Sequence, residues 1–134
     1  MSAVAQPRIA LGTAEPEYDL WEPLDPDLAG VFAHLPAEDL AYRDRARAFV
    51  QEEVRPVIDG YWDRAEYPLQ MIPRLGELDL IRDGQDVPGF APQSIMAACL
   101  TTMELSRGDG SVGTIVGVQG ALALRSISMF GSDE

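Results

Sequence analysis

MELSRGDGSVGTIVGVQGALALRSISMFGSDE, running from Met103 to Glu134, is the stretch that decides the fold. From Val112 to Leu124 it is nearly all small or apolar, broken only by Thr114 and Gln119. A helix that is apolar on every side has no face left for water, so this composition predicts a buried helix. Gly108-Asp109-Gly110-Ser111 marks its start, a breaker cluster with two side chains able to cap. Gly131 marks its end, as the residue type best able to take the left-handed turn after a helix. Ser132-Asp133-Glu134 then reads as the cap of another helix, which gives the sequence the look of a piece of a larger protein.

The segments before it are also helical. A helix is expected from Pro92 to about Arg107, with Ile95, Met96, Cys99, Leu100 and Met103 as its apolar stripe. The first helix runs from about Pro36 to Val54, where Tyr42, Ala46, Phe49, Val50 and Val54 share a face and Arg43, Asp44, Arg45 and Arg47 point elsewhere. Pro36 is tolerated in its first turn, and Pro56 ends it. Shorter helical pieces follow at Val57–Glu66 and Leu69–Leu78, then a loop rich in Asp, Gly and Pro from Asp79 to Ala91. No alternating strand pattern survives. The class is all-α, an antiparallel array of about five helices over residues 36–134 with the Val112–Leu124 helix inside. Residues 1–35 carry Pro7, Pro16, Pro23, Pro26 and six acidic side chains from Glu15 to Asp27. They read as an extended or partly disordered leader, because proline blocks helix interiors and like charge opposes collapse.

The 134 residues suit one domain, and a net charge of −12 argues against nucleic acid and anionic membrane surfaces as partners. Cys99 is the only cysteine, so no internal disulfide can form and a reducing compartment fits. The longest apolar run falls short of the roughly 20 residues that span a bilayer. No signal or transit segment is visible, which makes the cytoplasm the expected location.

No catalytic constellation emerges from the residues alone. His34 is the only histidine and has no second ligand at a useful spacing, so it reads as a surface residue. Cys99 on its apolar stripe reads as a small hydrophobe, and Glu104 as a helix-surface carboxylate. Gly108 and Gly110 lack the strand and the Lys-Ser/Thr pair of a phosphate loop.

Taken together, several short motifs are similar to the N-terminal helical domain of the acyl-CoA dehydrogenase family. They are Ala46-Arg47-Ala48-Phe49 through Glu53-Val54-Arg55-Pro56, Tyr67-Pro68 followed by Leu75-Gly76-Glu77-Leu78, Met103-Glu104-Leu105-Ser106-Arg107 with Asp109, and Val118-Gln119 leading to Phe130-Gly131-Ser132-Asp133-Glu134. Their order and spacing agree over roughly residues 36–134. Two departures stand out: Asp79 where the family commonly has Gly, and Pro88-Gly89 for the usual Gly-Gly of the loop near the substrate entrance. The resemblance implies a flavoprotein that oxidises an acyl-CoA thioester to trans-2-enoyl-CoA with FAD, is reoxidised by an electron-transfer flavoprotein, and forms a homotetramer. It also implies that the catalytic glutamate and most FAD contacts lie in a middle β-domain and a C-terminal helical domain. No catalytic residue is therefore assigned here, and the chain alone is expected to be inactive and to bind no FAD. The last two long helices would supply one wall of the acyl pocket. Gly113, Gly117 and Ala121 repeat every four residues beside Thr114, so they are the substrate-binding candidates. The alternative for that repeat is close helix packing. Glutaryl-specific members are similar in spacing but have an arginine at the position of Gly113 and a glutamate at that of Ser106, so a dicarboxylic substrate is not expected. The competing functional reading is a helical binding module, or a degenerate partner subunit, without catalysis of its own.

Overall fold

A computed structural model describes residues 26–132. The leader expectation over residues 1–25, and the cap expected at Asp133 and Glu134, lie outside the described residues. The described residues fall into two units, the first ending at Val31 and the second beginning at Phe32. In the described part of the first, Asp27 closes a turn: its carbonyl accepts from Gly30 N at 3.1 Å and its Oδ1 from Val31 N at 2.6 Å.

The second unit is all-α, and no strand occurs among the described residues. It has five helical rods: α1 (Ala37–Phe49) continued by a π-helical turn (Val50–Val54), α2 (Ile58–Asp63), α3 (Met71–Glu77), α4 (Ile95–Gly108), and a long helix, Gly110–Phe130. The last consists of α5 (Gly110–Val116), a π-helical stretch (Gly117–Leu124) and α6 (Arg125–Phe130). Proline punctuation accounts for the first breaks: Pro36 precedes α1, and Pro56 follows the turn that ends at Val54. Ser94 starts α4, its Oγ accepting from Ala97 N at 2.9 Å. Asp109 separates α4 from α5 and caps α5, its Oδ1 accepting from Ser111 N at 2.8 Å and Val112 N at 3.2 Å.

The α1 stripe is buried as its spacing implies: Ala46, Phe49, Val50 and Val54 join Ile58, Met71, Leu75, Leu80, Leu105, Val112 and Val116 in one core. α4 is central, packed on both α1 and α5. Contacts 39 to 94, 47 to 104 and 50 to 108 rise together in sequence, so α1 and α4 run parallel, and the array is not antiparallel throughout. α4 and α5 are antiparallel across Asp109, with Gly113 set against Ser106.

Three further expectations are corrected. α4 buries Ala97, Ala98, Leu100, Thr101, Glu104 and Leu105, while Ile95, Met96 and Cys99 are exposed. The helix has two apolar faces, and the one with the smaller side chains turns inward. At its far end Gly108 lies where a Cβ would overlap the Val50 side chain. Second, the Val112–Leu124 helix is not inside. Val112, Gly113, Val116 and Gly120 are buried, but Val118, Leu122, Ile127 and Met129 are exposed and Phe130 is 83% exposed. The rod simply outlasts the array that covers its first half. At 21 residues and a mean hydropathy of 1.3 it is also long and apolar enough, by length and composition, to cross a membrane, contrary to the estimate from the uninterrupted apolar run. Third, Gly131 is extended (φ −75°, ψ 166°) rather than left-handed. Close approach explains glycine there, because a Cβ would press on the Ile127 carbonyl.

Candidate functional site

The four wall candidates do not share one surface. Gly113 is buried at the α4–α5 crossing, where a Cβ would overlap Ser106 Oγ and come within 3.1 Å of Ser106 Cα. Its lack of a side chain lets two helices approach. Thr114 is exposed and its Oγ1 donates to Gly110 O at 2.8 Å. Gly117 has nothing within 4 Å of its Cβ direction, so it alone of the glycines at 113, 117 and 120 opens onto free space. Ala121 is half-buried. The spacing argument missed Gly120, which is buried and points its absent Cβ at the Ile81 carbonyl oxygen. The π-helical turns from Gly117 to Leu124 bond at i→i+5, so an i, i+4 series drifts off its face there.

Glu104 is not a surface carboxylate. Its side chain is 3% exposed and accepts from two arginines: Arg47 at 2.8 and 3.1 Å, and Arg107 at 3.1 and 3.2 Å. Arg47 and Arg107 are each about one-third exposed, so the guanidiniums bridge the buried acid to solvent. Arg47 meets it as a two-nitrogen fork and Arg107 through Nη1 alone, so the carboxylate reads as a structural counter-ion that ties α4 to α1.

The Asp79–Ala91 loop is also built on a buried arginine. Arg82 grips both oxygens of Asp79 at 2.5 and 2.7 Å, and donates to Gln85 O at 2.9 Å, Ala91 O at 2.8 Å and Tyr42 Oη at 3.2 Å. Its guanidinium carbon lies over the Phe90 ring, 5.3 Å from the centroid. Tyr42 Oη in turn donates to Asp79 Oδ2 at 2.6 Å. Asp79 takes φ +56°, the left-handed conformation its side chain tolerates where the family resemblance calls for glycine. Gly84 N donates to the buried Gln93 at 2.7 Å, and Arg125 reaches Asp83 at 3.5 Å, so the long helix braces the loop at Gly120 and Arg125.

Burial alone would raise the Asp79 carboxyl, but hydrogen bonds from Arg82 and Tyr42 and the charges of Arg82 and Arg45 outweigh it and hold the group below its ordinary value of 3.8. A depressed acid contributes stability that is present above the unfolded-state pKa and lost as pH falls through the folded one. Acid unfolding below about pH 4 is therefore expected to be less steep in Asp79→Asn than in wild type. Parallel denaturant series at pH 7 and pH 3 check this; an unchanged pH 7-to-3 stability difference in the variant would refute it.

These features define an all-α helical domain, and comparison with known proteins gives its family. The profile for "Acyl-CoA dehydrogenase, N-terminal domain" matches residues 36–134. The chain is 29% identical over 104 residues to "Acyl-CoA dehydrogenase" of Bacillus subtilis (strain 168), covering 75% of this chain and 27% of that protein. It is 30% identical over 103 residues to the "Short-chain specific acyl-CoA dehydrogenase, mitochondrial" of Rattus norvegicus, covering 75% and 24%. Among solved structures, the glutaryl-CoA dehydrogenase from Mycobacterium smegmatis superposes with a TM-score of 0.73 at 38% identity, covering 80% of this chain and 28% of that one. The chain belongs to the acyl-CoA dehydrogenase family and corresponds to its N-terminal domain. It spans about a quarter of the length of these relatives.

Proposed function

We propose that this chain supplies one wall of the acyl pocket in an FAD-dependent acyl-CoA dehydrogenase that oxidises an acyl-CoA thioester to trans-2-enoyl-CoA. The observation that carries the reading is the second half of the Gly110–Phe130 helix. That half is apolar yet uncovered by its own array, and just before it Gly117 leaves open space on the same rod. Such a surface suits a hydrocarbon tail or an apolar neighbour rather than water. The cleft near Trp62 does not fit FAD: it has a volume of about 270 Å³ and a carboxylate on its lining, which opposes a pyrophosphate. On this reading the hydride acceptor and the base belong to the middle β-domain and the C-terminal helical domain, as the family resemblance implies. The same reading gives the complete enzyme an electron-transfer flavoprotein as oxidant, a homotetrameric assembly and a cytoplasmic location.

The wall also bears on the substrate. Position 113 has no room for a side chain while α4 stays in place, so no arginine can stand there to meet a distal carboxylate. An unpaired carboxylate in an apolar pocket costs several kcal/mol, which favours an uncharged acyl chain. This separates the proposal from the substrate named for the M. smegmatis relative. Each CH₂ entering apolar surroundings gains about 0.8 kcal/mol, so the open floor at Gly117 favours long or bulky chains. In the complete enzyme, Gly117→Glu is expected to lower kcat/KM for long-chain acyl-CoA at least about tenfold and to spare short chains, as about two lost CH₂ contacts already amount to that factor. A wild-type preference for butyryl-CoA, or unchanged long-chain turnover in the variant, would overturn the open-floor reading.

A further inference from the structure

A second concavity lies apart from the acyl wall. Ile58, Tyr61, Trp62, Glu66, Tyr67 and Ser111 are among the residues around a cleft of about 270 Å³, just below the roughly 300–1,000 Å³ of pockets that take whole small ligands. It has the size for a single side chain. Trp62 is 62% exposed but anchored, because its indole N–H donates to Asp109 Oδ2 at 2.8 Å. Its ring is thus held in place while much of it stays open. Tyr67 donates to Ser111 O at 3.4 Å, and Tyr61 Oη accepts from Gln70. All three rings are tethered by their polar ends.

The charge at this cleft is negative. Glu66 lines it, and Asp109 sits behind Trp62 and caps α5. The phenol of Tyr67 is raised first by burial and then by the charge of Asp109. The neighbouring Arg64 shows what such a combination accepts. Its guanidinium carbon lies 5.1 Å from the Tyr61 ring centroid while its Nε sits 2.7 Å from Glu66 Oε2. Arg64 does not itself line the cleft, and among the described residues no other group bonds Glu66 Oε1.

We propose that this cleft is a receptor for the guanidinium group of an arginine side chain presented by a partner polypeptide. Guanidinium is planar, weakly hydrated and forked, so it can stack on an indole or phenol face while pairing with a carboxylate. A phosphate or carboxylate would approach Glu66 and Asp109, and a purely apolar side chain would leave Glu66 with Arg64 as its one hydrogen-bond partner among the described residues. The site is independent of the acyl-pocket reading and stands or falls separately.

The test uses the full chain carrying Trp21→Phe, which leaves Trp62 as its single tryptophan. N-acetyl-arginine amide is titrated against Trp62 fluorescence, with the isosteric but uncharged N-acetyl-citrulline amide as control. The arginine probe is expected to give a saturable change, with citrulline about tenfold weaker. Glu66→Gln is expected to weaken the arginine response about fivefold with an unchanged far-ultraviolet circular dichroism spectrum. Tyr67→Leu, which keeps the carboxylate and removes a ring, should weaken it as well. Equal, non-saturating responses to both probes, or a Glu66→Gln variant that binds as wild type does, would overturn the proposal.

Discussion

Replacing Arg47 and Arg107 together by methionine is expected to destabilise the fold by about 3–5 kcal/mol, the range for a buried charge stripped of its partners. Methionine keeps the apolar stems that pack along α1 and α4, so the loss falls on the guanidiniums. Each single replacement leaves Glu104 one arginine and should cost about half as much or less. Adding Glu104→Met to the double variant removes the orphaned charge and should recover most of the loss, since buried ion groups exchanged for apolar residues of similar size are often neutral. Urea unfolding of wild type, the two single variants, the double and the triple decides it. A triple variant no more stable than the double would show that the arginines act through something other than the carboxylate.

The second large effect contrasts two glycines three residues apart. Gly120→Ala would place a Cβ against the Ile81 carbonyl oxygen, a backbone atom that cannot swing aside. Overpacking of that kind costs about 1–3 kcal/mol and outweighs the gain of about 1 kcal/mol from alanine's better helix propensity. Gly117→Ala meets nothing within 4 Å and keeps the whole gain. The two variants should therefore shift Tm in opposite directions, Gly117→Ala upward by about 4–8 °C for a domain near this size. Thermal melts that move both the same way would sink the assignment of Gly120 to close packing. The substitution at 117 also probes whether a methyl group on the proposed pocket floor alters chain-length preference.

The helices were legible because local signals set them. Pro36, Pro56 and Asp109 lie at breaks that the structure keeps, the start expected at Pro92 moves to the cap at Ser94, and the α1 stripe from Ala46 to Val54 is buried as its spacing implies. Which face of a rod meets which neighbour was less legible. α4 carries apolar residues on two sides, and only packing against Val50 and Gly113 shows which side turns inward. Glu104 was misread for a related reason: its main partner, Arg47, is 57 residues away, and no periodicity reports a contact at that range. The all-apolar reading of Val112–Leu124 was right about composition and wrong about coverage, because hydropathy says that a surface avoids water and not what covers it. Of the wall residues, a repeat of glycines at i, i+4 could not separate the one that opens space from those that close it; Gly117 and Gly113 differ only in what stands opposite.

The arginines at Glu104, Asp79 and Glu66 belong to a wider pattern, for the sequence contains no lysine and all ten of its basic side chains are arginine. Guanidinium does not give up its proton in proteins, whereas an ammonium can when buried. The cationic half of this domain's charge is therefore fixed at any pH a cell reaches, and only its acids and a few neutral groups can titrate. The same composition removes every side-chain amine. Acylation of side-chain amines, ubiquitin transfer to lysine and amine-directed labelling find no side-chain target in the domain, so its surface charge is closed to the commonest enzymatic routes of editing a basic residue.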